Sequence, residues 1–102
     1  MKRELSVSTI REGKLLKILP AGWIDTLTAE EFENTILENL EGMEELVIDF
    51  GDVEYISSSG LRVLMKLHKL MQGRKGLKIL NARANVAEVF EAAGFIGNLD
   101  IE

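Results

Sequence analysis

The sequence predicts a single domain of the α/β class, and three patterns lead to that prediction. Apolar runs of strand length alternate with stretches whose apolar residues recur every three to four positions, as in helices. Glycines and one proline separate these stretches at turn-like positions. In the second half of the chain, strand and helix alternate, which implies a partly parallel sheet with helical crossovers. We therefore expect one domain over residues 1–102.

The chain begins with a predicted hairpin. Leu5–Ser8 and Lys14–Leu19 have the composition of strands, and Arg11–Gly13 lies between them as the turn. Pro20–Gly22 is expected to break the second strand, because proline lacks the N–H that a strand ladder needs.

The first helix is expected to start at a capping box, Thr28–Glu31, where a hydroxyl at the N-cap is followed three residues later by a glutamate. It should stop at Gly42. Its apolar stripe consists of Phe32, Ile36, Leu37 and Leu40.

The second half is expected to add two buried strands and two helices. Leu46–Phe50 and Gly76–Leu80 are strongly apolar, as in strands covered by helices. A long helix should run from about Ser58 to Gln72 and end at Gly73. A short last helix, closed by Gly94, is marked by Val86, Val89, Phe90 and Ala93.

Composition places the chain among soluble globular proteins, with 46% hydrophobic and 28% charged residues. There is no cysteine, which excludes thiol catalysis, disulfides and thiolate metal sites, and fits a reducing cytosol. No segment approaches the roughly 18 apolar residues of a membrane span. We therefore expect a cytoplasmic protein without direct membrane insertion.

The charges are strongly segregated. The net charge is −5, yet eleven acids and no base lie between Ile18 and Leu61, whereas Arg62 to Arg83 carry seven bases and no acid. An acidic chain argues against general nucleic-acid binding, which needs a dominant basic field. Each block can be a solvated helix face, but the segregation as a whole favours steering of a charged protein partner.

The most informative segment is Tyr55–Gly60, which places three serines and a glycine between an apolar strand and the long helix. Free N–H groups and the positive end of the helix dipole make such a junction favourable for an anion. A serine at this position, Ser58 above all, can accept a phosphate group or can simply cap the helix. The residues alone leave both interpretations open.

Three segments resemble the STAS domain, and in particular the stand-alone bacterial anti-sigma-factor antagonists. Gly22–Thr26 (GWIDT) is similar to the turn before the first helix of that family, and Leu46–Phe50 is similar to its central strand. Tyr55–Leu61 (YISSSGL) is similar to its signature loop. The resemblance implies a mixed sheet of four to five strands, with helices packed mainly on one face.

The resemblance also implies a phosphorylation switch. The family signature is usually Asp-Ser-Ser/Thr/Ala-Gly, with the first serine as acceptor, which corresponds to Ser58. The aspartate position is occupied by Ser57, a departure that provides a reserve acceptor. The implied partners are a serine-kinase anti-sigma factor, bound by the unmodified form, and a serine phosphatase. No cofactor and no metal are implied.

The candidate partner-binding surface surrounds this loop. Gly60 is expected to allow close packing. Asp25 and Asp49 can each cap a turn or contribute to partner binding, and a metal site shared by these two aspartates is disfavoured. On the long helix, Arg62, Lys66 and Lys69 share a narrow strip. Leu61 and Met65 border that strip, either as buried contacts between helices or as an exposed docking patch. The candidate residues are Asp25, Asp49, Ser57, Ser59, Gly60, Leu61, Arg62 and Met65.

We do not expect this protein to be an enzyme. His68 is the single histidine and lies ten residues after Ser58 on one helix, about 15 Å away, so it cannot serve as its base. Two alternatives to the switch remain. One is a non-switching STAS scaffold in a signalling or lipid-transport assembly, where the serines only cap the helix. The other, a phosphocarrier or small-ligand binder, is disfavoured because there is no Gly-rich phosphate loop.

Overall fold

The described residues, 4–94 and 100–102 of a computed structural model, form six strands and three helices. The strands are β1 Leu5–Glu12, β2 Leu15–Ile24, β3 Glu45–Asp49, β4 Asp52–Ile56, β5 Gly76–Leu80 and β6 Asp100–Ile101. The helices are α1 Ala29–Asn39, α2 Ser58–Leu70 and α3 Ala84–Ala92. The predicted α/β class is confirmed.

The strands form one mixed sheet. Its order is β1-β2-β3-β5-β6, with β4 paired to β2, and only β1–β2 is antiparallel among the described strand pairs. β3 pairs with residues 15–18 of β2 and β4 with residues 21–24, so β3 and β4 lie end to end along the same neighbour. The described sheet is therefore five strands wide, within the predicted range.

One face of the sheet holds the core. On β2, β3 and β5, alternate side chains are almost completely buried, namely Leu16, Ile18, Leu46, Ile48, Leu77 and Ile79. The helices contribute equally buried side chains to the same hydrophobic cluster, including Phe32, Ile36, Leu64, Leu67 and Phe90. Most of the remaining positions on β2 and β5 are only half-buried. This period of two is what a sheet with helices mainly on one face produces.

Two strand predictions were wrong. β2 continues through Pro20–Gly22, because Pro20 lies between the segments that pair with β3 and β4, where that ladder is interrupted. The sequence also predicted one strand, Leu46–Phe50, between the first helix and the long helix. The structure has two strands there, because Asp52–Ile56 forms β4 after β3. The apolar residues of this segment are too few to predict a strand from the sequence. The segment is extended because it pairs with β2.

The helix ends agree with the prediction to within one or two residues, except that the first helix stops at Asn39 rather than near Gly42. Gly42, Gly73 and Gly94, which follow the three helices, all have positive φ. Leu37, predicted to be part of the buried stripe of the first helix, is 39% exposed instead.

α3 covers the outer edge of β4. Asn85 Nδ2 donates to the Glu54 carbonyl at 2.8 Å, and Arg83 Nε donates to the Gly51 carbonyl at 3.0 Å. These side chains satisfy carbonyls on the side away from β2, which is the strand that pairs with β4 among the described residues. The position of β4, and with it the start of α2, is thereby fixed.

Candidate functional site

The starts of α1 and α2 lie next to each other. β2 and β4 are parallel and in register at Ile24 and Ile56, and the Ser57 N–H donates to the Ile24 carbonyl at 2.8 Å. The segments that leave these two strands therefore begin at the same edge of the sheet. Both segments carry polar side chains with hydrogen-bond partners.

Ser57 is the N-cap of α2. Its backbone is extended, its hydroxyl accepts from the Gly60 N–H at 3.3 Å, and its carbonyl accepts from the Leu61 N–H at 3.0 Å. A side-chain oxygen that accepts from the third helical N–H is the standard N-cap interaction. Capping is therefore the role of Ser57, and the interpretation in which Ser58 caps the helix is wrong.

Ser58 is the first residue of α2, and its side chain is exposed. Within the described part of the chain its hydroxyl has no hydrogen-bond partner, and it lines the groove described below. Ser57 therefore provides the cap, and the Ser58 hydroxyl is exposed to solvent.

Gly60 allows α2 to approach the sheet closely. A Cβ atom at this position would lie 2.7 Å from side-chain carbons of both Ile24 and Ile56. Such contacts are too short for a real side chain, so the expected packing role of Gly60 is confirmed. Ser59, half-buried, faces the opposite flank and lines a hollow between α1 and α2 with Ala29.

Asp25 organises the segment before α1. Its Oδ1 accepts from the N–H groups of Leu27 at 2.9 Å and Thr28 at 3.0 Å, while its carbonyl accepts from the Ala29 N–H. The Thr28 hydroxyl donates to the Trp23 carbonyl at 2.7 Å and makes no cap hydrogen bond. Thr28 holds the N-cap position as predicted, but the side-chain hydrogen bonds of the capping box are absent, because the Thr28 hydroxyl is directed to the Trp23 carbonyl. The Asp25 carboxylate orders the turn that precedes α1.

Asp49 does not join this site. Its Oδ1 accepts from the Gly51 N–H at 2.9 Å and from Asn81 Nδ2 at 3.1 Å, in the turn between β3 and β4. Asp49 is level with Leu19 on β2, six residues before Asp25, which corresponds to about 20 Å along the strand. The two aspartates therefore belong to separate turns.

A groove of about 690 Å³ begins at Ser58 and follows the outer face of α2. Leu61, Met65 and Leu70 form its apolar surface, with Leu61 9% and Leu70 47% exposed. Arg62, Lys66 and Lys69 provide its charges. A surface groove therefore lies where the docking patch is expected, but Leu61 itself is almost buried, as the alternative of burial between helices expects. The binding of a partner at this groove stays a prediction.

Two exposed leucines near the site were missed from the sequence. Leu70 extends the groove by more than one helical turn beyond Met65. Leu27, in the loop after β2, is 89% exposed. An apolar residue in a loop carries no periodic signal, so the sequence offered no reason to select Leu27.

His68 lies near the other end of α2 from Ser58, so the two side chains are separated, as the sequence predicted. No three His, Cys, Asp or Glu side chains in the described ranges are placed to hold a metal ion. Among the same residues, no helix is long and apolar enough to cross a membrane.

The fold and the site define a class of small α/β proteins. In this class an exposed serine begins a helix, here α2, and a groove follows the outer face of that helix. A sequence model of the STAS domain matches residues 7–102, and the chain belongs to that family. BtrV of Bordetella bronchiseptica, assigned as an anti-sigma factor antagonist, is 33% identical over 87 residues, which are 83% of this chain and 74% of the relative.

Solved structures of the same fold include regulators of this kind. An anti-sigma factor antagonist from Mycobacterium paratuberculosis superposes with a TM-score of 0.89 at 20% identity, covering 99% of this chain and 87% of that one. Phosphorylated SpoIIAA, the Bacillus cell fate determinant, gives a TM-score of 0.72 at 15% identity, covering 95% of this chain and 91% of that one. At these identities the structural likeness shows the fold alone.

Proposed function

We propose that this protein is a cytoplasmic anti-sigma-factor antagonist that works by partner switching. The unphosphorylated form binds a serine-kinase anti-sigma factor, and the sigma factor is released. Phosphorylation of Ser58 by that kinase ends binding, and a serine phosphatase restores it. The protein acts by binding and performs no catalysis itself.

The observation that carries this proposal is that two adjacent serines differ in their contacts. Ser57 is occupied as the cap, whereas the Ser58 hydroxyl is exposed at the mouth of a groove. The family relationship to BtrV and the existence of a phosphorylated SpoIIAA structure of the same fold support the assignment.

The replacement of the family aspartate by Ser57 fits this function. Aspartate and serine are both strong N-cap residues, so the exchange keeps the hydrogen bond to the Gly60 N–H and removes only a negative charge. Ser57 is half-buried and its hydroxyl oxygen already accepts from the Gly60 N–H, so it is the less accessible of the two hydroxyls. We therefore assign Ser58 as the phosphoacceptor and keep Ser57 in reserve.

A phosphate on Ser58 would act mainly on the surface. It adds a charge of nearly −2 at the positive end of α2, which the helix dipole tolerates. The fold would therefore survive, while any partner docked along the groove would meet a new charge and new bulk. Leu61, Arg62 and Met65 line the same groove as Ser58, so a partner bound to them would meet that phosphate. Ser59 faces the other flank of α2, and the partner contact predicted for Asp49 concerns a separate turn.

The test is to incubate the protein with the serine-kinase anti-sigma factor from the same genome and ATP, and to map phosphate by mass spectrometry. We expect phosphate on Ser58, absent in Ser58→Ala and retained in Ser57→Ala. We also expect complex formation that Ser58→Asp abolishes. Absence of phosphate together with unchanged binding of Ser58→Asp would contradict the switch and favour the non-switching scaffold.

A further inference from the structure

The groove on α2 has a specific charge. Lys66 Nζ lies 2.7 Å from Glu33 Oε2 on α1, so this cation already has a partner within the protein. Arg62 and Lys69 are exposed, and neither has an acidic partner among residues 4–94 and 100–102. Two positive charges without an ion pair in the described ranges therefore lie along the groove, in a protein whose net charge is −5. Arg62 also lines the neighbouring hollow that holds Glu30 and Glu33.

The groove combines a basic middle with apolar flanks. Arg62 and Lys69 are about two turns apart on α2, so they lie nearly one above the other along the middle of the groove. Leu61 and Met65 lie on one side of these two cations, and Leu70, about two and a half turns from Leu61, lies on the other side. A helix packed along α2 would therefore meet Arg62 and Lys69 and, on one flank, Leu61 and Met65, where a methionine adapts its shape to a partner side chain.

We propose that the groove binds an acidic amphipathic helix of the kinase partner, with carboxylates facing Arg62 and Lys69 and apolar side chains on Leu61 and Met65. This inference rests on the proposed function and specifies the chemistry of its partner. The partner helix is assigned as acidic because of charge complementarity. A basic helix would bring its own cations against the unpaired Arg62 and Lys69 at the same contact.

The same charges explain how a phosphate on Ser58 would be sensed. Arg62 follows Ser58 by four residues, so the two side chains lie on the same face of α2, and both line the groove. A phosphate carrying nearly −2 would pair with Arg62 and cancel the two free positive charges. An acidic helix would then lose its attraction to the groove and meet a negative charge at its mouth.

The experiment measures binding of the unphosphorylated protein to the purified kinase, by calorimetry, for groove variants and a matched control. Arg62→Glu combined with Lys69→Glu should weaken binding by at least about 30-fold, with a loss of salt dependence. Lys14→Glu makes a similar exchange at the exposed hairpin turn, far from the start of α2, and should change binding less than about threefold. Circular dichroism checks that all variants are folded.

The outcomes separate this inference from the function on which it rests. If Ser58 is phosphorylated and the complex forms, but the groove variant binds as Lys14→Glu does or more tightly, the acidic partner is wrong and the switch stands. If neither phosphate nor complex is found, both fail. Sedimentation of the free protein tests a third outcome. If the protein self-associates and the groove variant abolishes this self-association, the groove binds a second copy of the chain, and the kinase helix is wrong.

Discussion

The starts of α1 and α2 lie side by side at one edge of the sheet and use their polar side chains in opposite ways. Before α1, the Asp25 carboxylate and the Thr28 hydroxyl are both consumed by hydrogen bonds to neighbouring backbone groups. Before α2, Ser57 makes a single cap bond, and Ser58 remains exposed. One start uses its polar side chains in hydrogen bonds to the backbone, whereas the other leaves one hydroxyl exposed while a neighbouring serine provides the cap.

The largest effect is expected where α2 touches the sheet. Gly60→Val should destabilise the protein by about 3 kcal/mol, because its side chain would overlap Ile24 and Ile56. Urea unfolding followed by circular dichroism measures the loss. Ser59→Ala, on the next residue, is the control and should stay within about 0.5 kcal/mol. Equal midpoints for Gly60→Val and the wild type would show that α2 is not held by this contact.

The start of α1 should be the next most sensitive. Asp25→Ala removes an acceptor shared by the Leu27 and Thr28 N–H groups and should cost about 1–2 kcal/mol in unfolding free energy. Asp25→Asn keeps the oxygen and should recover most of that loss in the same assay. If Asn is as destabilising as Ala, the charge of Asp25 matters and the hydrogen bonds do not.

The start of α2 should respond at Ser57 and hardly at all at Ser58. Ser57→Ala should cost about 1 kcal/mol, and Ser57→Asp should restore the cap. Ser58→Ala should stay within about 0.5 kcal/mol, because that hydroxyl holds nothing within the described chain. The reverse order of the two alanine variants in thermal or urea unfolding would contradict the assignment of cap and acceptor.

The smallest effect concerns the contact between the two helices. A double-mutant cycle with Glu33→Gln and Lys66→Gln should give a coupling of about 0.5 kcal/mol, because the Lys66 side chain is 61% exposed. The coupling should decrease in 1 M salt. A coupling of several kcal/mol would mean that the ion pair holds α1 against α2, which its exposure argues against.

Much of the fold could be predicted because it depends on periodicity. The stripes of α1 and α2 and the strands around Leu46 and Leu77 were identified from apolar spacing alone, since burial on one face imposes that spacing. β4 and the continuation of β2 through Pro20 were missed. Both depend on strand pairing between segments distant in sequence, which a local pattern does not record.

The site was predicted less completely. The resemblance to STAS domains selected Ser58, and the wheel of α2 selected the basic strip with Leu61 and Met65. Which serine caps the helix could not be decided, because the three serines are equivalent as a local pattern. Asp25 and Asp49 looked alike as acids after strands, yet the interrupted pairing along β2 places them about 20 Å apart.

By itself the sequence determined the α/β class, the helix stripes, the segregation of charge and the position of the serine loop, because each is a property of neighbours along the chain. Only the tertiary structure decided that Ser57 caps α2, that Ser58 is exposed, and that Glu33 neutralises Lys66 but leaves Arg62 and Lys69 without an acidic partner in the described chain. These are relations between groups brought together by folding, and they depend on distances and exposure that residue order does not contain.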